Sequence, residues 1–146
     1  MATRTAPSAA APDLTDAEYA ALAGFRARLR SFLRFTEREA ARGGLTPQQH
    51  QLLLAIRAHA GGAAGVGELA QALQLRHHTV VGLVDRVAAL GFVTRRVDPA
   101  DRRRVRVTLT RAGRQALARL SLGHRRELHA LRRALDLALL DGPRRS

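Results

Sequence analysis

The sequence predicts a mainly α-helical protein that carries one small β-hairpin. Apolar residues recur at helical spacing through most of the chain, whereas between residues 93 and 109 they follow the two-residue alternation of strands. Helix-capping patterns and glycines divide the helical part into separate segments. A chain of 146 residues is long enough for one domain with appended helices.

A long first helix is predicted after an Ala- and Pro-rich stretch over residues 1–12, which is typical of a disordered tail. Thr15 and Glu18 have the spacing of a capping box, and Gly43-Gly44 ends the helix. We therefore expect a helix within residues 13–44. One of its faces carries an apolar stripe made of Tyr19, Leu22, Phe25, Leu29, Phe32, Leu33 and Ala40.

The second helix is also predicted from its start. Thr46 and Gln49 form another capping box, with Pro47 at the first helical position. The helix is expected to run to about His59. The glycine-rich stretch 61–65 that follows predicts a flexible loop.

Two short helices come next, over about residues 67–73 and 76–90. Their apolar residues can pack together, from Leu69, Ala70 and Leu73 on one helix to Val80, Leu83, Val84 and Val87 on the other. That packing leaves an outer face made of His77, His78, Val81, Gly82 and Asp85. The pattern is typical of a helix–turn–helix, whose second helix enters a DNA major groove, and also of a plain helical hairpin.

A β-hairpin is predicted after these helices. Residues 93–97 form its first strand, residues 98–101 supply turn residues, and Val105, Val107 and Leu109 alternate with polar residues in the second strand. Thr110 then caps a long last helix, which Gly142-Pro143 ends. The apolar stripe of this helix contains Leu117, Leu120, His124, Leu128, Leu131 and Leu135.

Three consecutive arginines, Arg102, Arg103 and Arg104, follow Asp101 at the tip of the hairpin. Guanidinium groups on a narrow hairpin suit the negative potential of a DNA minor groove. Arginine runs are more often solvated surface, but this one follows a helix–turn–helix, so both elements can reach one duplex. We also expect Asp101 to hold an arginine by a charged hydrogen bond.

The charge of the chain favours a polyanionic partner. It has 25 basic residues against 12 acidic ones and a net charge of +13, and every basic residue is Arg. Such an excess is unfavourable through self-repulsion unless a polyanion binds. Ribosomal and membrane-surface proteins share this property, so the charge alone favours nucleic acid only modestly.

Several classes of function are excluded or disfavoured. The chain has no Cys, which excludes disulfides, thiolate metal sites and thiol-based redox sensing or catalysis. It shows neither a signal peptide nor a membrane span, so we expect a cytoplasmic protein with no membrane partner. It also lacks a phosphate-binding Gly loop and a catalytic triad pattern, so we expect neither enzymatic activity nor a cofactor.

The sequence does not predict a metal site, although it contains possible ligands. Suitable donors exist in His50, His124, Glu127 and His129. However, His124 and His129 are poorly aligned on one helix face, and His50 is distant in sequence. A histidine in an apolar stripe is more often a packed residue than a ligand.

Residues of the hairpin and the last helix have a characteristic spacing, namely Asp101, Arg103, Val107, Leu109, Thr110 and Gly113. They match the wing signature Asp-x-Arg-x-x-x-Val-x-Leu-Thr-x-x-Gly, and the chain therefore resembles the MarR family of winged-helix transcriptional regulators. Further similar stretches are Leu45-Thr46-Pro47, Glu68-Leu69-Ala70, Thr79-Val80, Leu83-Val84-Asp85-Arg86 and Gly91-Phe92-Val93. The likeness covers roughly residues 20–120.

The resemblance implies a winged helix–turn–helix DNA-binding domain over residues 45–110. Dimerisation helices over 13–44 and 111–146 would flank it. The recognition helix, about residues 76–90, would lie in the major groove, and the wing over 98–104 would enter the minor groove.

The candidate DNA-binding residues are His77, His78, Thr79, Val81, Gly82, Arg86, Arg102, Arg103 and Arg104. By the resemblance, Arg103 is the minor-groove residue and Thr79 lies near the DNA backbone. The family more usually has small polar residues or Arg at positions 77, 78, 81 and 82, so its pattern does not define the operator sequence here.

The function that we expect is that of a homodimeric repressor, which binds a pseudo-palindromic operator in double-stranded DNA and is released by a small-molecule effector. The residues that bind the effector are unknown. The alternative is a sequence-independent architectural DNA-binding protein, which the net charge favours equally. A regulator acting through protein contacts of its terminal helices is a third class, against which the wing signature argues.

Overall fold

The structure is a computed structural model that describes residues 13–140, with the side chains described for residues 13–133. The described residues contain five α-helices and three strands in the order α1 (Asp16–Arg42), α2 (Pro47–Ala58), β1 (Ala63–Gly65), α3 (Val66–Leu73), α4 (His77–Ala89), β2 (Val93–Val97), β3 (Val105–Leu109) and α5 (Arg111–Leu140), with a short 3-10 helix over Ala60–Gly62 before β1. The mainly helical winged fold is confirmed. The predicted tail over 1–12 and the stop at Gly142-Pro143 lie outside the described residues.

Both predicted capping boxes are present. At the start of α1, the Glu18 amide donates to Thr15 Oγ1 at 3.3 Å and the Thr15 amide donates to Glu18 Oε2 at 2.7 Å. Thr46 and Gln49 make the same reciprocal pair at the start of α2. Each pair satisfies two backbone groups that the first helical turn leaves unpaired.

The prediction of a flexible loop over residues 61–65 is wrong for residues 63–65. Ala63–Gly65 forms β1, which pairs antiparallel with β3, so the sheet has three strands in the order β1-β3-β2. Gly61 and Gly62 turn the chain into this strand with φ angles of 72° and 67°, which favour glycine. Ala64 is fully buried opposite Val107, and one short buried residue is too little to give a strand pattern in the sequence.

The core lies between α2, α3, α4 and the inner face of the sheet. Its largest fully buried side chains are Leu52, Leu53, Ile56, Leu69, Val80, Leu83, Val84, Val87 and Val107. The predicted packing of α3 against α4 is confirmed, since Leu69 and all four predicted α4 residues are buried. Each such side chain contributes about 1.5–3 kcal/mol relative to its exposed state, which fixes the outer face of α4.

The two terminal helices pack together and are only partly covered. Ala40 near the end of α1 is buried, as are Leu117 and Leu120 near the start of α5. Farther along, most of the apolar stripe of α1 is exposed, namely Tyr19, Leu22, Phe25, Leu29 and Leu33. A stripe of that length is typical of an interface.

The start of α5 lies directly against the start of β2. The Thr110 amide donates to the Phe92 carbonyl at 3.0 Å, and Thr110 Oγ1 donates to the Gly91 carbonyl at 2.6 Å. The Gly113 amide donates to Thr110 Oγ1 at 3.0 Å. A Cβ atom at position 113 would lie 2.0 Å from the Phe92 carbonyl oxygen, so the spacing Thr-x-x-Gly is a steric requirement.

We expect Gly113→Ala to destabilise the fold by at least about 2 kcal/mol, because the backbone of Phe92 must move to admit the methyl group. Gly24→Ala in exposed α1 is the matched control, since a Cβ there has no atom within 4 Å. The Gly24→Ala variant should leave the free energy of unfolding unchanged or raise it by up to about 1 kcal/mol. Urea unfolding of both variants measures this, and equal midpoints would contradict the steric explanation.

Candidate nucleic-acid interface

The outer face of α4 is open at the N-terminal end of the helix. His77, His78, Asp85 and Arg86 are exposed, whereas Thr79, Val81 and Gly82 are half-buried. Among the described residues, no side chain caps the first turn of α4. The free amides and the positive end of the helix dipole therefore point outward beside the two histidines, which favours a negatively charged partner.

An ion pair connects α4 to the sheet. The Nη2 atom of Arg95 in β2 donates to Oδ1 of Asp85 in α4. Asp85 was predicted only as an outward residue, because charges ten positions apart give no periodic signal. Both side chains are partly exposed, so the pair contributes at most about 1 kcal/mol and acts mainly on the orientation of α4 relative to the wing.

Aspartates hold the backbone of the wing and leave its arginines exposed. Asp101 Oδ1 accepts from the Arg103 amide at 3.0 Å, and Asp98 Oδ1 accepts from the Ala100 amide at 2.9 Å. The expected bond from Asp101 to an arginine is weak, since its Oδ2 lies 3.9 Å from Arg104 Nε. The side chains of Arg102, Arg103 and Arg104 are all exposed.

Arg106 connects the base of the wing to β1 and α3. The sequence analysis did not identify this role. Its guanidinium donates to the Ala63 carbonyl and lies 4.0 Å from Glu68 Oε2 and 3.9 Å from Asp98 Oδ2. Glu68 also accepts from the Gly65 amide at 2.8 Å. That hydrogen bond is the main cause that lowers the pKa of Glu68, with smaller contributions from nearby cations that include Arg106.

A groove of about 390 Å³ lies between α3, the start of α4 and the wing. His77 lines it from α4, and Arg103 and Arg104 line it from the wing. The structure therefore brings residues predicted on two separate elements around one depression. The carboxylate of Glu68 also lines the groove, but it lies 4.0 Å from Arg106, and the cationic side chains outnumber it. Arginine and histidine side chains in this arrangement can hold phosphate groups.

A second, larger cavity of about 940 Å³ lies between α1, α2 and α5. Its lining is mainly apolar and includes Phe32, Leu33, Leu54 and Leu128. His50 and His124 also line it. A largely apolar cavity of this size with a few polar groups is typical of a small-molecule site.

His50 of α2 and His124 of α5 stack inside this cavity. Their ring centroids are 4.8 Å apart with an angle of 22° between the planes, and Phe35 contacts His124 edge-on at 5.8 Å. They are only 6% and 8% exposed, and neither Nε2 atom has a hydrogen-bond partner within the described part of the protein. An unsatisfied buried polar atom costs about 1–3 kcal/mol, so these nitrogens are unfavourable as they stand.

The environment favours neutral rings. Burial lowers the pKa of His50, and the adjacent His124 lowers it further. Burial also lowers the pKa of His124, partly opposed by Glu39 and by a hydrogen bond to the Thr36 backbone. The sequence analysis treated His50 as distant from His124, because the two residues are far apart along the chain. The packing of α2 against α5 brings their rings together.

Two negative findings apply to the described residues. They contain no group of three or more His, Asp or Glu side chains that could hold a metal ion. None of the described helices combines the length and the hydropathy that a membrane-spanning helix requires.

Comparisons with known proteins agree with this geometry. Residues 43–104 match the model of the MarR family. The HTH-type transcriptional repressor NicR of Pseudomonas putida is 34% identical over 116 residues, which is 77% of this chain and 72% of NicR.

Two solved structures are similar over most of their length. AbsC, a MarR family transcriptional regulator from Streptomyces coelicolor, aligns with a TM-score of 0.70 and 22% identity over 90% of this chain and 91% of its own. BpsR of Bordetella bronchiseptica, whose DNA binding is regulated by 6-hydroxynicotinic acid, aligns with a TM-score of 0.60 and 25% identity. That alignment covers 83% of this chain and 84% of BpsR.

We expect the histidine pair to make stability depend on pH. Because both pKa values are lowered by folding, the unfolded chain binds more protons, and the folded state loses stability as the pH falls below the ordinary value of 6.5. Thermal unfolding between about pH 7.5 and about pH 5.5 tests this. The double variant His50→Gln, His124→Gln should show a smaller loss than the wild type, while His129→Gln on exposed α5 should not. Identical losses in all three proteins would rule out the pair as the cause.

Proposed function

The chain belongs to the MarR family of DNA-binding transcriptional regulators, and we propose that it is a homodimeric repressor released from its operator by a small acid. One observation carries the DNA-binding part of this proposal. His77 of α4 and the wing residues Arg103 and Arg104 line a single groove, on a chain of net charge +13. The residues proposed to contact the major groove and the minor groove therefore line the same depression.

Each element has a role in the proposed complex. Residues 45–110 form the DNA-binding domain, with α4 in the major groove. In this complex, bases and phosphates would be contacted by six residues of α4, namely His77, His78, Thr79, Val81, Gly82 and Arg86. The wing enters the minor groove through Arg102, Arg103 and Arg104, whose exposed side chains extend beyond a backbone that the aspartates hold.

The homodimer would form through the terminal helices, within residues 13–44 and 111–146. The support is the exposed stripe of α1, since Leu22, Leu29 and Leu33 are 50%, 36% and 45% exposed in the single chain. A two-fold dimer presents two copies of α4 to half-sites about one DNA turn apart, which gives a pseudo-palindromic operator.

Repression and release are proposed by similarity. The relative NicR is a transcriptional repressor, and an aromatic acid regulates the DNA binding of BpsR. The cavity between α1, α2 and α5 is the place where such an effector would act in this chain. An effector that binds more tightly when the two α4 helices are wrongly spaced weakens operator binding by that difference in affinity.

A second candidate is sequence-independent binding, as in an architectural protein. The observation that favours it is the composition of α4 at its groove-facing turn. Val81 and Gly82 offer no bidentate hydrogen bonds to bases, so His77, His78 and Arg86 would supply most of the polar contacts.

The deciding experiment is selection from a random duplex pool at near-physiological salt, followed by sequencing of the retained DNA. A pseudo-palindromic motif with half-sites about one turn apart supports the proposed regulator. Retention without any enriched motif supports the architectural alternative, because phosphate contacts alone then explain the affinity. If the protein retains no DNA, the selection is repeated after unfolding and refolding to remove a bound effector. A second failure contradicts both the proposed regulator and the architectural alternative.

Substitutions should separate the wing from the recognition helix. Arg103→Ala should weaken binding to all duplexes alike and reduce the slope of log affinity against log salt by about 1, since one cationic contact is lost. His78→Ala should instead change the selected motif, with a cost of about 1–3 kcal/mol on the wild-type operator. Arg126→Ala, which removes the same charge from an exposed position of α5, is the control. If His78→Ala lowers every affinity equally, that residue contacts the backbone.

The proposed dimer has its own test. Leu22→Glu should raise the dimer dissociation constant at least about tenfold, because a carboxylate would be buried in an apolar interface without a partner. Ala20→Glu introduces the same group on the opposite, exposed face of α1 and should have little effect. Sedimentation over a dilution series measures both, and an unchanged mass for Leu22→Glu would place the interface elsewhere.

A further inference from the structure

A cationic hollow lies on the outer face of the sheet, at the end farther from the wing tip. This sheet-face hollow has a volume of about 340 Å³. It is lined by Arg57 from the last turn of α2, Arg96 of β2 and Arg114 from the first turn of α5, while Gly61 and Gly62 border it without side chains. Three elements that are distant in sequence therefore contribute one arginine each to the same depression.

The strand register explains why this face of the sheet is polar. Val93, Val107 and Leu109 are buried, and the pairing of Val93 with Leu109 places these residues on the inner face. Successive side chains of a strand alternate between the two faces. Arg96 and Thr108 belong to the other set, so they lie on the outer face, where both line the hollow.

The protein does not neutralise the arginines of the sheet-face hollow. Among the described residues, no Asp or Glu lines it. The guanidinium groups of Arg57 and Arg96 form neither a hydrogen bond nor an ion pair with any residue between 13 and 133. Arg114 Nη1 donates to the Leu109 carbonyl at 2.9 Å, which holds that guanidinium at the hollow and leaves its other N–H groups available.

This arrangement favours an anion with more than one phosphate group. Like charges around one hollow repel each other, and a bound anion removes that repulsion. Guanidinium groups bind phosphate oxygens through paired, charge-assisted hydrogen bonds. A monophosphate carries only about −1.5 to −2 near neutral pH, so a diphosphate matches three arginines more closely. The Thr108 hydroxyl adds a neutral donor at the same place.

The sheet-face hollow lies apart from the surface that is proposed to contact DNA. Thr108 is four residues beyond Arg104 in the sequence, which corresponds to about 13 Å at the rise of a strand. No described residue lines both the hollow and the groove of His77, Arg103 and Arg104. A duplex on α4 and the wing would have to bend around the sheet to reach the hollow, so a free ligand is favoured over operator phosphates.

We propose that the sheet-face hollow binds a small molecule that carries a diphosphate group, whose oxygens accept hydrogen bonds from Arg57, Arg96 and Arg114. This site goes beyond the proposed function, because neither the DNA-binding groove nor the cavity between α1, α2 and α5 contains these residues. A ligand held by all three arginines bridges α2, β2 and the start of α5. Since that arrangement exists only in the folded chain, binding stabilises the fold.

Titration calorimetry without DNA tests the proposal, with inorganic pyrophosphate, orthophosphate and sulfate at constant ionic strength. Pyrophosphate should bind at least about tenfold more tightly than either smaller anion, because it can contact all three arginines at once. It should also raise the midpoint of thermal unfolding. Equal affinity for the three anions, or no binding of pyrophosphate, would overturn the diphosphate site.

Matched variants assign the bound anion to the hollow. Arg96→Gln keeps a polar, planar end group without the charge and should lower the pyrophosphate affinity at least about tenfold. Arg103→Gln in the wing and Arg126→Gln on exposed α5 remove the same charge elsewhere and should change it by less than about twofold. If Arg103→Gln weakens binding and Arg96→Gln does not, the anion occupies the wing groove and the proposal is wrong. Circular dichroism checks folding, and Arg57→Gln replaces Arg96→Gln if the latter does not fold.

Duplex binding separates a free diphosphate from DNA phosphates. Arg96→Gln should bind a selected duplex with the affinity and salt dependence of the wild type. A reduced salt slope for Arg96→Gln, together with no binding of pyrophosphate, would show that these arginines contact the DNA backbone, and it would overturn the proposal. Because the calorimetry contains no DNA, its result stands even if the duplex selection fails and the proposed function is wrong.

Discussion

The close contact between the start of α5 and the start of β2 is the constraint on which the arrangement of the molecule depends. Here Thr110 bonds the carbonyls of Gly91 and Phe92 while Gly113 leaves room for the Phe92 carbonyl. The contact sets where the terminal helix leaves the sheet. Because α1 packs on α5, the same few atoms determine where any dimer interface lies relative to the wing.

The features that the sequence predicted well are those that neighbouring residues create. The capping boxes at Thr15 and Thr46, the apolar face of α4 and the alternation in β3 depend on contacts within a few positions of the chain. Their physical signals are periodicity and local hydrogen bonding, and both can be read directly from residue order.

The features that were missed depend on contacts between distant segments. The strand β1 exists because the edge of β3 is available to it, and three small residues carry no pattern that announces this. Arg106 looks like one more member of a basic run until Glu68 and Asp98 are brought beside it. The stacked histidines similarly depend on the packing of α2 against α5.

The acidic residues near the candidate interface have structural duties that preserve its positive charge. Asp98 and Asp101 accept hydrogen bonds from backbone amides of the wing, and Glu68 accepts one from Gly65. Asp85 forms an ion pair with Arg95 of the sheet. The outward arginines of the wing tip are thus only weakly neutralised, and rigidity and charge reinforce each other at the surface that would meet DNA.

The pairing of β1 with β3 has a consequence for the newly made chain. The two strands are joined through Ala63 and Arg106, which are 43 positions apart, and α3, α4 and β2 all lie between them. During synthesis the helix–turn–helix emerges from the ribosome before the strand that fastens it. Closing so long a segment is entropically costly until β3 is available. A truncated or stalled product that ends before Val105 would therefore contain α3 and α4 without the strand that pairs with β1.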